Sequence, residues 1–179
     1  ALQENLQRMG FSDLFEKVQK MISQGHSQFS IPVSHFMDDR IRMDYKIAIV
    51  ADGNGVCQIK GFEASLHDQK KPADVKGRFF EQGHSNGMDA IQAYHLLSGR
   101  SLEINGKWCQ LDLNDRDEHG NYLLRDYRTG PEYDLKEKLE LFPIKDLGYD
   151  GKQKLIDGLK AGERHEVTFV LDGTEKRFF

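Results

Sequence analysis

Apolar and polar side chains alternate most regularly just after residue 40. Apolar residues occupy every second position there, at Ile41, Met43, Tyr45, Ile47 and Ile49. A period of two predicts a β-strand with one buried face and one solvated face. The solvated face of this strand is predicted to carry Arg42, Asp44 and Lys46.

The same alternation extends on both sides of this strand. Residues 29–33 predict a strand before it, and Val56–Leu66 predicts a strand after it. The intervening segment Asp52–Gly55 favours a hairpin turn, because glycine and asparagine accept positive φ angles at little cost. Residues 13–24 place their apolar side chains at helical spacing. The first third therefore predicts an amphipathic helix followed by a three-stranded antiparallel meander.

Short helices and hairpins alternate in the rest of the chain. Helices are predicted over Met88–Ser98, from Asp134 to Pro143, and from Asp150 to Gly162. Strands are predicted around Phe79 and Phe80, on both sides of Asn105-Gly106, over Tyr122–Tyr127 and over Val167–Leu171. Hairpin turns argue against a parallel sheet, so we predict an α+β fold of antiparallel β-meanders with helices packed on one face.

These elements predict one compact unit with two sub-lobes. The first sub-lobe spans residues 1–66, a polar loop spans 67–77, and the second sub-lobe spans 78–179. The sequence begins at Ala1 rather than at methionine and ends on two phenylalanines within a predicted strand. We therefore expect a segment that is truncated at its C-terminal end.

The two ends of the sequence echo each other. A helix that ends at Gly25 and a helix that ends at Gly162 are each preceded by a glycine beside an aromatic residue and followed by an alternating strand. A duplicated helix–hairpin unit, an internal repeat, explains the echo. A chance succession of common elements explains it equally well, since stacked repeats usually need at least three units.

Composition narrows the classes of protein. The 179 residues carry 25 basic and 29 acidic side chains, a formal net charge of −4. No apolar run reaches the length of a membrane span, so no membrane contact is expected. No segment is basic enough for bulk attraction to nucleic acid. Cys57 and Cys109 fit no metal or redox spacing, which favours reduced thiols in the cytoplasm, with a disulfide as the alternative.

Catalytic motifs are missing from the sequence. The seven histidines fall at spacings that match no zinc or metalloprotease motif, and no nucleophile elbow, Walker loop or dinucleotide fingerprint is present. We therefore assign no catalytic residue and expect no cofactor. An enzyme whose histidines and carboxylates meet only through the fold remains the alternative.

One cluster of the sequence combines basic and aromatic residues. Lys70, Lys71, Lys76 and Arg78 precede Phe79 and Phe80. Cations that meet phosphates beside a ring that stacks on a base are typical of nucleic-acid binding. A solvated lysine-rich loop next to core phenylalanines also explains the same residues.

Two further segments imitate ligand sites. Asp115, Asp117 and Asp126, with Gly120 at the sixth position, follow the spacing of a calcium loop, although a polar hairpin loop is the simpler interpretation. Residues 84–87, ahead of a predicted helix, are suited to an anion, but we favour Ser85 or Asn86 as a helix cap.

Four stretches together carry a family resemblance. They are Asp89–Arg100, Trp108–Leu113, Leu141–Leu147, and Val167–Phe169 with the residues that follow. In these stretches the chain resembles an uncharacterised family of Bacteroidetes proteins that is often found with conjugative or mobile elements. The resemblance implies a cytoplasmic setting near DNA, and it supplies no catalytic residues. Together with the missing catalytic motifs, it predicts a non-enzymatic binding or accessory module that acts with a protein or nucleic-acid partner of a mobile element. A hydrolase-like enzyme with a fold-assembled His/carboxylate site is the alternative.

Overall fold

The computed structural model describes residues 1–83, 87–128 and 133–179. In these ranges the helices are Leu2–Met9 (α1), Phe15–Ser23 (α2), Ala90–Leu97 (α3), Leu135–Glu140 (α4) and Gly148–Lys160 (α5). The strands are Gln28–Phe36 (β1), Ile41–Ala51 (β2), Cys57–Asp68 (β3), Lys76–Glu81 (β4), Leu102–Ile104 (β5), Lys107–Arg116 (β6), Tyr122–Arg128 (β7), Val167–Leu171 (β8) and Thr174–Phe178 (β9). Helices and purely antiparallel sheets together confirm the predicted α+β fold.

The first sheet has four strands in the order β1-β2-β3-β4, each antiparallel to its neighbour. The alternation in β2 is confirmed, since Met43, Tyr45, Ile47 and Ile49 are buried while Lys46 on the opposite face is exposed. β1 forms one edge of the sheet, with Pro32 near its middle.

A β-bulge bends β3 where it crosses β2. The pairing shifts between Ala48 and Ile49, so that Ala48 faces Gly61 while Ile49 faces Ile59. Gly61 has a φ angle of +154°, and a Cβ atom at this residue would lie 2.3 Å from the carbonyl oxygen of Phe80. Only glycine fits this close approach of β3 to β4.

The core lies between this sheet and the helices that cover one of its faces. Phe11, Tyr45 and Phe62 form an edge-to-face cluster with ring centroids 5.3–5.9 Å apart, and Phe80 stacks on Phe62 at 5.5 Å. α1 contributes Leu6 and Met9 to the same core. α1 was not predicted from the sequence, because its apolar residues are few and its first turn has no side-chain cap.

α3 joins the first sheet to the second sheet, which has the order β5-β6-β7. The helix buries Ala93, Leu96 and Leu97 in one continuous core that also contains Leu102, Cys109, Leu111 and Tyr122 of the second sheet. The Tyr45 hydroxyl fixes the helix by donating to the Ala90 carbonyl at 2.8 Å. The two sheets therefore share one core.

The structure corrects two local predictions. The meander has four strands rather than three, and β4 joins it across the predicted loop 67–77, so the first sheet extends past the predicted end of the first sub-lobe. The cap of α3 is Asp89, whose carboxylate accepts from the Gln92 backbone at 2.7 Å while the Gln92 side chain accepts in return. Ser85 and Asn86 lie outside the described residues.

The hairpin turn at Asn105-Gly106 is confirmed. Both residues have positive φ angles, 51° and 76°, as a two-residue hairpin with a type I′ turn requires. The β6–β7 loop also reaches the first sheet, because the Asn121 side chain accepts from the Phe79 backbone at 2.9 Å. This contact occupies the β4 edge of the first sheet.

The C-terminal part consists of α4, α5 and the β8–β9 hairpin. It is tied to α3 by His95, whose Nδ1 lies 2.8 Å from the Ala161 carbonyl oxygen, and to β5 by Lys160, whose ammonium group lies 3.4 Å from the Glu103 carboxylate. The segment before α5 lies along β8, where the backbone N–H of Lys145 donates to the Thr168 carbonyl at 2.7 Å. The duplication of helix and hairpin is not confirmed and stays a prediction. In the described part of the chain, every helix is too short or too polar to cross a membrane.

Candidate functional site

A cleft of about 290 Å³ opens where the β1–β2 turn, the loop after β3 and the C-terminal end of α3 meet. Its charged lining contains three carboxylates, Asp38, Asp68 and Asp74. It also contains five cations, Arg40, Lys71, Lys76, Arg100 and Arg164. We call this site the basic cleft, because cations outnumber carboxylates here although the whole chain carries a net charge of −4.

Arg40 and Asp68 form a two-pronged ion pair at one wall. Arg40 Nε lies 2.7 Å from Asp68 Oδ1, and the second guanidinium nitrogen contacts Oδ2. The hydrogen-bonded guanidinium holds the pKa of the Asp68 carboxyl far below its ordinary value, and the Asp68 carboxylate in turn raises the pKa of Arg40. Asp68 also accepts from the Lys70 backbone at 2.9 Å. This pair therefore fixes the start of the loop that carries the lysines.

The remaining carboxylates of the cleft also have partners. Asp38 accepts from the backbone N–H groups of Ile41 and Arg40, at 2.6 and 2.7 Å, and these bonds lower its pKa. Asp74 lies 4.0 Å from the Lys76 ammonium group. The acidic groups thus hold the turn, the loop and Lys76 in place.

Arg100 is the most constrained cation of the cleft. Its guanidinium lies 5.3 Å from the centroid of the Tyr94 ring, and Nη1 donates to the Gly162 carbonyl at 3.2 Å. Its Nε is buried without a hydrogen-bond partner within the described ranges. Because these contacts are to a ring and a neutral carbonyl, no carboxylate of the described ranges neutralises the charge of Arg100 by an ion pair.

Lys71 and Arg164 are the free cations of the cleft. Both are exposed, and neither has an ion pair with any residue that the structure describes. The Asp68 carboxylate attracts the Lys71 charge, although not within ion-pair distance. An exposed lysine and an exposed arginine at a concave surface, with no described carboxylate within ion-pair distance, are suited to phosphate oxygens.

The predicted basic cluster divides in the structure. Lys71 and Lys76 line the cleft, whereas Lys70 is exposed outside its lining. Arg78 is half-buried, donates to the Tyr122 carbonyl and lies 5.7 Å from the Phe80 ring, and this burial lowers its pKa. Phe80 belongs to the core. Arg78 thus joins the two sheets.

Three cations of the cleft were not predicted as site residues from the sequence. They are Arg40, Arg100 and Arg164. They are separated by some sixty residues each and share no motif spacing. A weak signal exists for two of them, because Arg100 and Arg164 follow the helix-ending glycines Gly99 and Gly162.

The calcium-like segment is a β-hairpin loop. Asp117 Oδ1 accepts from the backbones of His119 and Asn121, each at 2.9 Å, and these bonds contribute to its lowered pKa. Asp115 lies 3.3 Å from Arg125, and Asp126 lies within β7 opposite Cys109. Among the described residues, no three His, Cys, Asp or Glu side chains form a group that could hold a metal ion. The calcium site stays a prediction without support from this geometry.

The structure brings three histidines close to carboxylates, His119 and His165 to neighbours in sequence and His67 to a residue of the adjacent strand. His67 Nε2 lies 3.0 Å from Asp44 Oδ2 on the solvated face of the first sheet. Partial burial would raise the pKa of Asp44, but hydrogen bonds from Ser34 and Arg42 outweigh it and lower that pKa. The Ser34 hydroxyl donates to Asp44 rather than to His67. No nucleophile–base contact results, and an enzymatic activity stays an untested alternative.

Both cysteines are free thiols, Cys57 half-buried and Cys109 buried. Burial raises the pKa of each thiol. Neither is therefore activated as a nucleophile at neutral pH.

Comparison with protein-family models, curated proteins and solved structures finds no match to this chain. The candidate site therefore rests on its own geometry.

The Asp68 pKa leads to a prediction about stability and pH. A carboxyl whose pKa is lowered on folding stabilises the fold above its unfolded pKa of about 4, and this contribution is lost as the pH falls through the lowered value. We expect Asp68→Asn to lower the melting temperature at neutral pH, and the difference from wild type to shrink as the pH falls below about 4. Thermal melts followed by circular dichroism across this range measure it. Asp39→Asn, exposed in the β1–β2 turn next to Arg40, is the control with no difference at any pH. A difference for Asp68→Asn that is constant with pH would contradict the assignment.

Proposed function

We propose that this protein is a non-enzymatic binding module that holds the backbone of a single-stranded nucleic acid in the basic cleft. One observation carries the proposal. Four separate segments of the chain bring Arg40, Lys71, Lys76, Arg100 and Arg164 to one concave surface, although the chain as a whole is acidic.

Phosphate groups match the chemistry of this lining. Lysine and arginine neutralise phosphates and release the counterions that surround a nucleic acid, which supplies most of the affinity in sequence-independent binding. The Tyr94 ring with Arg100 above it adds an aromatic element beside the cations. Cations together with aromatic side chains are typical of single-strand binding grooves.

The shape of the site favours a single strand over a duplex. A duplex is read by an element that protrudes into a groove of the nucleic acid. Here the cations line a cavity of about 290 Å³, near the lower end of the range for small-ligand sites. A cavity of this size accepts a short stretch of backbone rather than the width of a double helix. The proposed setting in a mobile element comes from the sequence resemblance.

The salt dependence of binding tests this proposal. We expect a fluorescently labelled single-stranded DNA or RNA oligonucleotide to bind at low salt, with an affinity that falls as salt rises. Each phosphate contact contributes about −0.7 to the slope of log K against log salt for a single strand. The double variant Lys71→Gln/Arg164→Gln should therefore make the slope shallower by about 1.4 and raise Kd about tenfold. Fluorescence anisotropy over a salt series measures both.

The matched control removes the same charges elsewhere. Lys17→Gln/Lys154→Gln neutralises two exposed residues of α2 and α5 that do not line the cleft, and its slope should equal that of wild type. An equal loss in both double variants, or no binding at low salt, would refute the proposal. If a free mononucleotide binds as tightly as the oligonucleotide, the ligand is a nucleotide rather than a nucleic acid. If an acidic peptide competes as well as unlabelled oligonucleotide does, the ligand is a protein.

A further inference from the structure

An apolar groove of about 200 Å³ lies between α4, α5 and the segment that joins them. Its apolar lining comprises Leu139, Phe142, Ile144, Leu147, Leu155 and Ile156. Leu155 is buried at the base, whereas Phe142 remains 54% exposed at the rim. We call this site the apolar groove.

Lysines surround this groove on several sides. Lys136 of α4, Lys145 of the connecting segment and Lys152 of α5 line it together with the single carboxylate Glu140. Lys145 pairs with Glu175 of β9 at 2.8 Å. Lys136 and Lys152 have no ion pair within the described part of the chain. The groove is therefore apolar at its base and positively charged at its rim.

Large apolar side chains are exposed next to the groove. Leu141 is 77% exposed, Phe142 contacts Phe169 of β8 with ring centroids 6.1 Å apart, and Phe178 of β9 continues this row at 4.7 Å from Phe169. α4 itself buries no residue. A contiguous exposed apolar surface with a polar rim is typical of a protein-binding site.

We propose that the apolar groove binds a protein segment whose large apolar side chains are flanked by aspartate or glutamate. The apolar side chains would fill the space between Leu139, Phe142 and Leu155, and the flanking carboxylates would face Lys136 and Lys152. Charge complementarity selects this occupant, since Lys136 and Lys152 remain at the rim with the single carboxylate Glu140 once Lys145 is paired with Glu175.

The same charges disfavour a second copy of this chain as the occupant. A twofold contact through this surface would place identical patches against each other and would bring like-charged lysines together. The apolar base likewise disfavours the nucleic acid proposed for the basic cleft, because phosphate oxygens would find donors at the rim lysines and none at the apolar side chains of the base. The inference does not depend on the proposed function.

Peptide binding tests the proposal directly. The probe is a fluorescent peptide with leucine and phenylalanine anchors flanked by glutamates, and its matched partner carries lysines in place of the glutamates. We expect the glutamate peptide to bind and the lysine peptide to bind at least tenfold more weakly. Phe142→Ala and Lys152→Glu should each raise Kd for the glutamate peptide, about tenfold for Phe142→Ala. Fluorescence anisotropy with the whole chain measures these values.

Two control variants on α5 keep the test specific. Tyr149→Ala removes a ring that is 83% exposed, and Lys154→Glu reverses a charge on α5, and neither residue lines the groove. Both should bind the glutamate peptide like wild type, as should Lys71→Gln/Arg164→Gln in the basic cleft. Equal binding of the two peptides, no binding of either, or loss of binding in the controls would overturn the proposal. Self-association that Phe142→Ala abolishes, measured by sedimentation velocity, would overturn it in favour of a second copy.

Discussion

Phe62→Ala should lower the free energy of unfolding by about 3–5 kcal/mol, the range for phenylalanine truncations in protein cores. The Phe62 ring is fully buried on β3 and contacts Phe11, Tyr45 and Phe80 within 5.9 Å between centroids. Its removal leaves a cavity between the sheet and α1, and it deprives each neighbouring ring of an aromatic contact. A loss of this size is a large fraction of the total stability of an ordinary domain.

Urea denaturation followed by tyrosine and tryptophan fluorescence measures this loss of free energy. A thermal melt of the same variant should show a fall in melting temperature of about 6–20 °C. Phe36→Ala on β1 is the matched control, since its ring is 70% exposed and its removal should change stability by less than about 0.5 kcal/mol. A small effect of Phe62→Ala, or an equal effect of both variants, would show that the described core is not the stabilising one.

Gly61→Ala should be nearly as damaging although it adds a single methyl group. Its Cβ would lie 2.3 Å from the Phe80 carbonyl oxygen and within 3 Å of the Phe79 ring. The backbone oxygen cannot move without breaking the pairing of β3 with β4. We expect a loss of about 3 kcal/mol, from backbone strain and overpacking together.

The matched control for this variant is Gly53→Ala in the β2–β3 turn. No atom lies within 4 Å of a Cβ at Gly53, and its φ angle is not positive, so the substitution should be nearly neutral. Differential scanning calorimetry of both variants checks the difference. If Gly61→Ala melts like wild type, β4 does not approach β3 as closely as described here.

Local patterns were sufficient to predict most of the individual elements. The alternation of Ile41–Ile49, the Asn105-Gly106 turn and the start of a helix at Asp134 each depend on residues adjacent in sequence, and each is present in the structure. Such features report the local periodicity and backbone preference of the chain. The number of strands in the first sheet was predicted wrongly. β4 pairs with β3 across a polar loop, and the residues of that loop give no signal of which strands will pair.

The basic cleft was only partly predictable for a related reason. Lys71 and Lys76 belong to a visible cluster, but Arg40 and Arg100 reach the same cavity only because α3 packs against the first sheet. Arg78, which shares the cluster in sequence, donates to Tyr122 instead. Lys76 and Arg78 lie two positions apart on β4 and so share a face of the strand. Their roles differ because the Tyr122 carbonyl of the second sheet lies within reach of Arg78, and sequence proximity alone could not show this.

The two edges of the first sheet bear on how the protein behaves at high concentration. Exposed strand edges are templates for pairing with other chains and so for aggregation. At the β1 edge, Pro32 has no N–H group to offer to an incoming strand, and at the β4 edge the Asn121 side chain already occupies the Phe79 N–H. Neither edge presents an uninterrupted row of free donors and acceptors. The first sheet is therefore protected against growth by strand addition, and crowding should not drive copies of it to polymerise edge to edge.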